Sequence, residues 1–236
     1  MKVFISIFMF IVFIALELNG VMGGELINGC SLDVLVGLMS PLRFTFITII
    51  PIIMLNHQIT EKDFHYQFVI RHKSWISILW KQMIKIVVVS AIMAVLFLIA
   101  VILFSYMKKL PLYNWNSFNS IFFVRTDQRL GLYGFSVYLY ALICIVVRMI
   151  IIQNILLLFM WGCQYKIIGI IFVLCITFDE SIRGDKLICR LISFDYDIWI
   201  SQFNRIRLLL QIAVYVCVGI LLYKYFLSRK ELLHCE

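Results

Sequence analysis

A run of 21 residues without a charged side chain, from Ile86 to Tyr106, restricts the possible folds of this chain more than any other feature. An α-helix rises about 1.5 Å per residue and a bilayer core is about 30 Å thick, so this run can cross a membrane. The whole chain of 236 residues is 63% hydrophobic and 14% charged, which is far from the balance of a soluble domain. We therefore expect an integral membrane protein.

Further apolar runs predict an all-α integral membrane fold with six transmembrane helices. These helices are expected to form a single domain, residues 1–236. The expected spans are 3–18, 35–55, 86–106, 132–155, 161–178 and 208–226. The uncharged part of the first run is only 14 residues, Val3 to Leu16, and would also suit the core of a signal peptide. We favour a retained span.

Two arginines interrupt these runs. Arg43 lies between Pro41 and Pro51, which predicts a kinked span with Arg43 facing the bundle interior and pairing with Glu17. Whether Arg43 serves function or structure stays open. Arg148 lies near one end of its expected span, where snorkelling towards the headgroups would accommodate it.

The distribution of basic residues predicts the orientation. Residues 18–34 contain no Lys or Arg, whereas residues 56–85 contain five. Because positive charge collects on the cytoplasmic side, the segment 56–85 and both termini are expected in the cytoplasm of a multi-pass cell-membrane protein.

The segment 56–85 has aromatic and aliphatic residues at near-helical spacing, with basic groups around them. This pattern predicts an amphipathic interfacial helix. Such a helix either lies in the headgroup layer or docks onto a cytoplasmic partner.

This segment contains an acidic residue, an apolar triplet, a basic/Ser cluster and a lysine that opens the next span, namely Glu61, Phe68-Val69-Ile70, Arg71-His72-Lys73-Ser74 and Lys81. The pattern resembles the connection between the second and third spans of type-two ABC exporter permeases. In that family this connection holds a coupling helix that rests on a separate ATP-binding subunit. The resemblance implies that this surface contacts such a subunit through Glu61, Phe68, Arg71, Trp75 and Lys81.

The resemblance also implies a second permease copy as partner, either identical or homologous. This chain contains no G-x-x-x-x-G-K-[ST] loop, so no enzyme activity is expected of it, and ATP and Mg²⁺ would bind to the partner. The implied function is export of a hydrophobic or amphipathic substrate such as a peptide, lipid or antibiotic. The alternative is a non-transporting membrane interaction protein, such as a bacteriocin-immunity or sensor subunit.

The segment 179–207 carries five acids and five bases and places Leu187, Leu191, Phe194 and Ile198 on one helical face. It is expected to form short external helices before the last span. The resemblance implies a cap over the translocation path, with Asp195, Asp197 and Trp199 as candidate residues. A plain interfacial anchor explains the pattern equally well. The loop 107–131 is rich in aromatic residues that suit a headgroup belt.

The net charge of +8 is spread over membrane-flanking loops, which favours anionic lipid headgroups over nucleic acid as the partner. Seven cysteines and four histidines show no metal-ligand spacing, so no metal site is expected. Cys30 and Cys189 fall on the same expected side of the membrane, and whether they pair stays open.

Overall fold

The computed structural model describes residues 2–22, 29–60, 75–163, 166–183, 192, 194–200, 206, 210–221 and 224. All regular structure in this part of the chain is helical. The helices are α1 (Lys2–Met22), α2 (Ser31–Leu38), α3 (Pro41–Thr60), α4 (Trp75–Met107), α5 (Ile121–Thr126), α6 (Gly134–Cys163), α7 (Lys166–Arg183) and α8 (Asp197–Ile200). A further helical stretch covers Leu210–Leu221.

Two described helices, α4 and α6, are long and apolar enough to cross a membrane, and the pair α2–α3 is a third candidate if it forms one broken span. Side chains on the outer faces of α4 and α6, such as Val88, Leu103 and Leu139, are exposed although they are apolar. Extended exposed apolar faces commonly mark contacts with lipid or with another protein. The expectation of an all-α fold is confirmed for the described residues, and two or three candidate spans are consistent with a membrane protein.

The expected count of six spans is not supported by the described residues. The first candidate contributes an apolar helix of only Ser6–Gly20, and the last contributes only Leu210–Leu221. Neither stretch reaches the length of a membrane-spanning helix within the residues that were searched, whereas the whole of α1 has 21 residues. The fifth candidate, α7, has 18 residues and carries charges at both ends, from Lys166 to Arg183.

Five helices pack side by side as a ring in the order α1, α3, α7, α6, α4 and back to α1. The short helix α2 packs against α1 and α4 within this bundle. One hydrophobic core joins the elements, and its fully buried members include Phe10, Phe44, Phe97 and Ile145. The ring therefore places α2 among long helices on several sides.

The chain bends by 76° between α2 and α3. Met39 caps the end of α2, and Pro41 is the first residue of α3, a position where its missing N–H costs no hydrogen bond. A second proline, Pro51, lies inside α3. The expected kink is therefore present, but it is a break of the helix at residues 39–40. The second candidate span consequently begins at Ser31 and not at residue 35.

Helix α4 has 33 residues and begins at Trp75, whereas the sequence predicted a span beginning at residue 86. Trp75 and the exposed Lys81 thus lie on this long helix and not on a separate interfacial one. Glu61, Phe68 and Arg71 lie outside the described residues.

Two residues after the end of helix α4, Lys109 adopts a left-handed backbone conformation with φ of 58°. The Leu110 N–H donates to the Ser105 carbonyl and the Lys109 N–H to the Tyr106 carbonyl, each at 3.0 Å. These two bonds form the motif that commonly closes a helix. They direct the chain into the loop 110–132. We call the end of the bundle that holds this loop the cap end.

Candidate functional site

Asp33 is a buried carboxylate, 4% exposed, in the first turn of α2. Its Oδ2 accepts the Cys30 backbone N–H at 2.7 Å, and its Oδ1 accepts Trp115 Nε1–H at 2.8 Å and Tyr196 Oη–H at 3.0 Å. All three partners donate, which suits an ionised carboxyl group, since that form only accepts. Asp33 therefore joins α2 to two segments that are distant in sequence.

The backbone reinforces this junction. The Ser31 N–H donates to the Pro111 carbonyl at 3.0 Å, and the Leu130 N–H donates to the Trp115 carbonyl at 3.1 Å. Tyr113 Oη lies 3.1 Å from the Leu130 carbonyl and 2.9 Å from the Leu132 carbonyl. The loop 110–132 is thereby folded onto α2.

Gly134 allows a close approach in this fold. A Cβ added at Gly134 would lie 3.0 Å from Cγ of Tyr113, closer than nearly all real contacts. The start of α6 therefore passes directly beside the Tyr113 ring, and a side chain at residue 134 would push this ring away by a few tenths of an ångström.

A cluster of aromatic rings surrounds the Asp33 junction, and we call it the aromatic cap. It comprises Trp115, Phe122, Tyr140, Phe194, Tyr196 and Trp199. The Trp115 and Phe122 rings stack with centroids 4.8 Å apart, and Tyr140 meets Trp199 edge-on at 5.1 Å. Aromatic pairs at such distances are favourable beyond their burial. The cap thus fastens residues 194–200 to α6 and to the loop 110–132.

The ionisable groups beside Asp33 are held neutral. Burial, and then the charge of Asp33, raises the pKa of Tyr196 well above its ordinary value. The same two causes raise the pKa of the Cys30 thiol to about 12. Neither group is a nucleophile near neutral pH, because the reactive thiolate and phenolate forms are suppressed. Cys30 and Tyr196 therefore face Asp33 in their neutral forms.

Arg148 is the second unusual feature. It is the fifteenth of the 30 residues of α6 and only 1% exposed. Its Nε–H donates to the Ile192 carbonyl at 2.7 Å, and Nη1 donates to the carbonyl of Met39, whose Sδ lies 3.9 Å away. Its guanidinium lies over the Phe44 ring, 5.2 Å from the centroid. Arg148 therefore does not snorkel, and that expectation is wrong.

The helix α2 is consequently held at both ends by complementary charge. The acid Asp33 lies in its first turn, and the cation Arg148 binds the carbonyl of Met39, directly after its last turn. A helix dipole is positive at its N-terminus and negative at its C-terminus, so both charges are favourable. Asp33 also accepts a hydrogen bond from Tyr196, and Arg148 also donates one to the Ile192 carbonyl. We define the candidate site as α2 with these two anchors.

The expected ion pair between Arg43 and Glu17 is confirmed, with Nε and Oε2 3.7 Å apart. The Arg43 side chain is 41% exposed, however, so it does not face the bundle interior. Of the candidate cap residues, Trp199 is buried in the aromatic cap, whereas Asp195 and Asp197 are exposed. Trp115 and Phe122 are also buried and do not belong to a headgroup belt.

Sequence reasoning missed Asp33, Trp115 and Tyr196 as a connected group. A signal for Asp33 was present, because an acid three residues after a potential N-cap commonly reaches back to that residue's N–H. Nothing local marks its other partners, which are 82 and 163 residues away. The thiol of Cys30 is unpaired, and Cys189 lies outside the described residues.

Within the described ranges, no group of three His, Cys, Asp or Glu residues could hold a metal ion. Comparison of the chain with protein-family models, curated proteins and solved structures found no match.

Proposed function

We propose that this chain is the permease subunit of an ABC exporter, which moves a hydrophobic or amphipathic substrate across the cell membrane with energy from a separate ATP-binding subunit. The observation that carries the transport part is the break between α2 and α3, which presents a backbone carbonyl to the buried Arg148 inside an apolar bundle. Irregular backbone at membrane depth is tolerated where protein or a cavity surrounds it. Broken helices commonly form the substrate sites of transporters.

The assignment to ABC exporters draws on the resemblance of the segment 61–81 to the connection between the second and third spans of type-two ABC exporter permeases. The length of α4 supports this assignment. This helix begins at Trp75, directly after residues 61–74, which lie outside the described part of the chain. Its 33 residues extend about 50 Å at 1.5 Å per residue. Beyond its far end, Pro111 accepts a hydrogen bond from Ser31 at the start of α2. A displacement of the connection would thus reach the candidate site through one rigid helix.

The six-span topology and the cytoplasmic position of both termini belong to this proposal. In it, α1, α7 and the stretch Leu210–Leu221 complete the transmembrane domain, and a second permease copy covers part of the exposed apolar surface. The residues of the connection, among them Glu61, Phe68 and Arg71, rest on the ATP-binding subunit.

A pair of variants in the connection tests this contact. Trp75→Ala should weaken association with the ATP-binding subunit about thirtyfold, because truncating a buried aromatic anchor commonly costs about 2 kcal/mol. Lys73→Ala should weaken it less than about fivefold, as expected for a rim charge. The measurement is recovery of the subunit with affinity-tagged full-length chain, purified from native membranes in mild detergent.

Wild-type recovery with both variants would contradict the coupling role. If no ATP-binding subunit co-purifies with the wild-type chain, the exporter assignment is wrong. A non-transporting membrane interaction protein then becomes the better description of this chain.

A further inference from the structure

Arg129 is an exposed cation of the loop 110–132, and its contacts leave its hydrogen-bond donors available. Its guanidinium carbon lies 4.0 Å from the centroid of the Phe118 ring. A guanidinium that stacks on an aromatic face keeps its five N–H groups in its own plane, where they can still donate. Within the described part of the chain, the Arg129 side chain forms no ion pair and no hydrogen bond. The stack therefore positions this cation without using its donors.

Both partners of this stack are fixed by contacts within the loop. The Phe118 ring meets Phe123 edge-on, with centroids 5.2 Å apart. The Ser120 hydroxyl accepts the Phe123 N–H at 3.1 Å and thereby caps the start of α5. In the residue after the arginine, the Leu130 N–H donates to the Trp115 carbonyl at 3.1 Å. The stacked pair thus lies on backbone whose position is determined on both sides.

A polar cleft of about 530 Å³ opens beside Arg129, and its lining comprises Asn116, Gln128, Arg129, Leu130 and Gly131. Asn116 and Gln128 are exposed, and each side-chain amide carries an NH₂ group that can donate twice. A Cβ built on Gly131 would meet no atom within 4 Å, so this side of the cleft is open. None of the described lining residues is acidic. The cleft therefore suits an anionic group with several oxygen atoms.

The loop around the cleft attracts anions. The segment 107–131 contains four bases and a single acid, namely Lys108, Lys109, Arg125, Arg129 and Asp127. Two further exposed acids of the cap end, Asp195 and Asp197, are the sequence neighbours of Tyr196. Arg125 lies over the Tyr196 ring, 5.3 Å from its centroid, so these acids offset the charge of Arg125. They do not line the cleft at Arg129.

The helix ends that this loop joins carry large exposed apolar side chains. Tyr106 and Met107 end α4, and Tyr133 and Phe135 lie at the start of α6, each more than three-quarters exposed. The helices α4 and α6 are the two described helices that are long and apolar enough to cross a membrane. When they span a bilayer, the loop between their ends lies at its surface, where aromatic side chains commonly sit among headgroups. The cleft is then at the level of the lipid phosphates.

We propose that the cleft at Arg129 binds the phosphate of an anionic phospholipid in the leaflet at the cap end. The guanidinium fork pairs with two phosphate oxygens, and the amides of Asn116 and Gln128 donate to the remaining polar atoms of the headgroup. The surrounding bases favour a lipid with net negative charge over a zwitterionic one. This inference goes beyond the proposed export function and does not depend on it, because it requires only that α4 and α6 span a bilayer.

Native mass spectrometry of the full-length chain in mild detergent tests the site. The probes are phosphatidylglycerol and phosphatidylcholine with identical acyl chains, and the measured quantity is the ratio of their affinities for the first bound lipid. The wild-type chain should bind phosphatidylglycerol at least about fivefold more tightly, which is what one cation near an anionic lipid contributes. Arg129→Gln should reduce this preference to less than about twofold, because it removes the charge and the fork.

Arg183→Gln is the matched control, since Arg183 is an exposed arginine that is already paired with Asp179 at 2.9 Å. It should leave the ratio of affinities at the wild-type value. Equal affinity of the wild-type chain for the two lipids would overturn the proposal without any variant. An equal loss of preference in both arginine variants would also overturn it, because general surface charge would then account for the binding.

Inorganic phosphate in large molar excess tests whether the ligand is a lipid. Phosphatidylglycerol should stay bound, because its acyl chains also contact the exposed apolar side chains at the ends of α4 and α6. Displacement of the lipid by inorganic phosphate would overturn the assignment to a phospholipid. These outcomes are separate from recovery of the ATP-binding subunit, so either proposal can be wrong while the other stands.

Discussion

Replacing Asp33 by alanine is expected to lower the free energy of unfolding by about 4 kcal/mol, because it leaves several buried donors without their acceptor. The indole N–H of Trp115, the hydroxyl of Tyr196 and the backbone N–H of Cys30 all lose the same carboxylate. The helix α2 also loses the negative charge at its N-terminus. Unfolding by SDS titration in mixed micelles measures the change.

Asp195→Ala is the matched control, since Asp195 is an exposed acid next to Tyr196. It should change the free energy of unfolding by less than about 0.5 kcal/mol, as is usual for exposed positions. Equal effects of the two substitutions would show that Asp33 is not a buried anchor.

Replacing Trp115 by alanine is the second change with a large expected effect, about 4 kcal/mol. Trp115 is fully buried and its ring contacts Phe122, Phe194, Tyr196 and Trp199. Truncating such a side chain leaves a cavity and removes a hydrogen bond to Asp33. The same SDS titration reports the loss of stability.

Trp80→Ala removes the same side chain from the surface of α4, where Trp80 is 64% exposed. This variant should cost less than about 1 kcal/mol, because few protein contacts are lost. A Trp80 effect as large as that of Trp115 would show that the aromatic cap adds no stability of its own.

The long helices could be predicted from the sequence because their signal is local. A run such as 86–106 lacks charge over the thickness of a bilayer, and only a helix satisfies its backbone there. The same signal gave the wrong start for α4, since the residues from Trp75 to Lys85 are polar enough to be taken as interfacial. A helix continues past the membrane boundary where nothing in its backbone stops it.

The candidate site could not be predicted because its contacts are distant in sequence. Arg148 binds Met39, 109 residues away, and its environment depends on where α2 breaks. From the sequence alone, an arginine near the end of an expected span, as Arg148 is, is predicted to snorkel, because that costs least. The aromatic residues of the loop 107–131 were likewise assigned to a headgroup belt, although Trp115 turns inward to meet Asp33.

A double-mutant cycle between Asp33 and Tyr196 tests most directly the central claim that α2 is fastened to residues 194–200. The cycle combines Asp33→Ala with Tyr196→Phe and measures the free energy of unfolding of the wild type, both single variants and the double variant. The structure predicts a coupling of about 1–2 kcal/mol, because the Tyr196 hydroxyl loses its value once Asp33 is absent. Effects that add within about 0.3 kcal/mol would contradict the claim, because independent residues show no coupling.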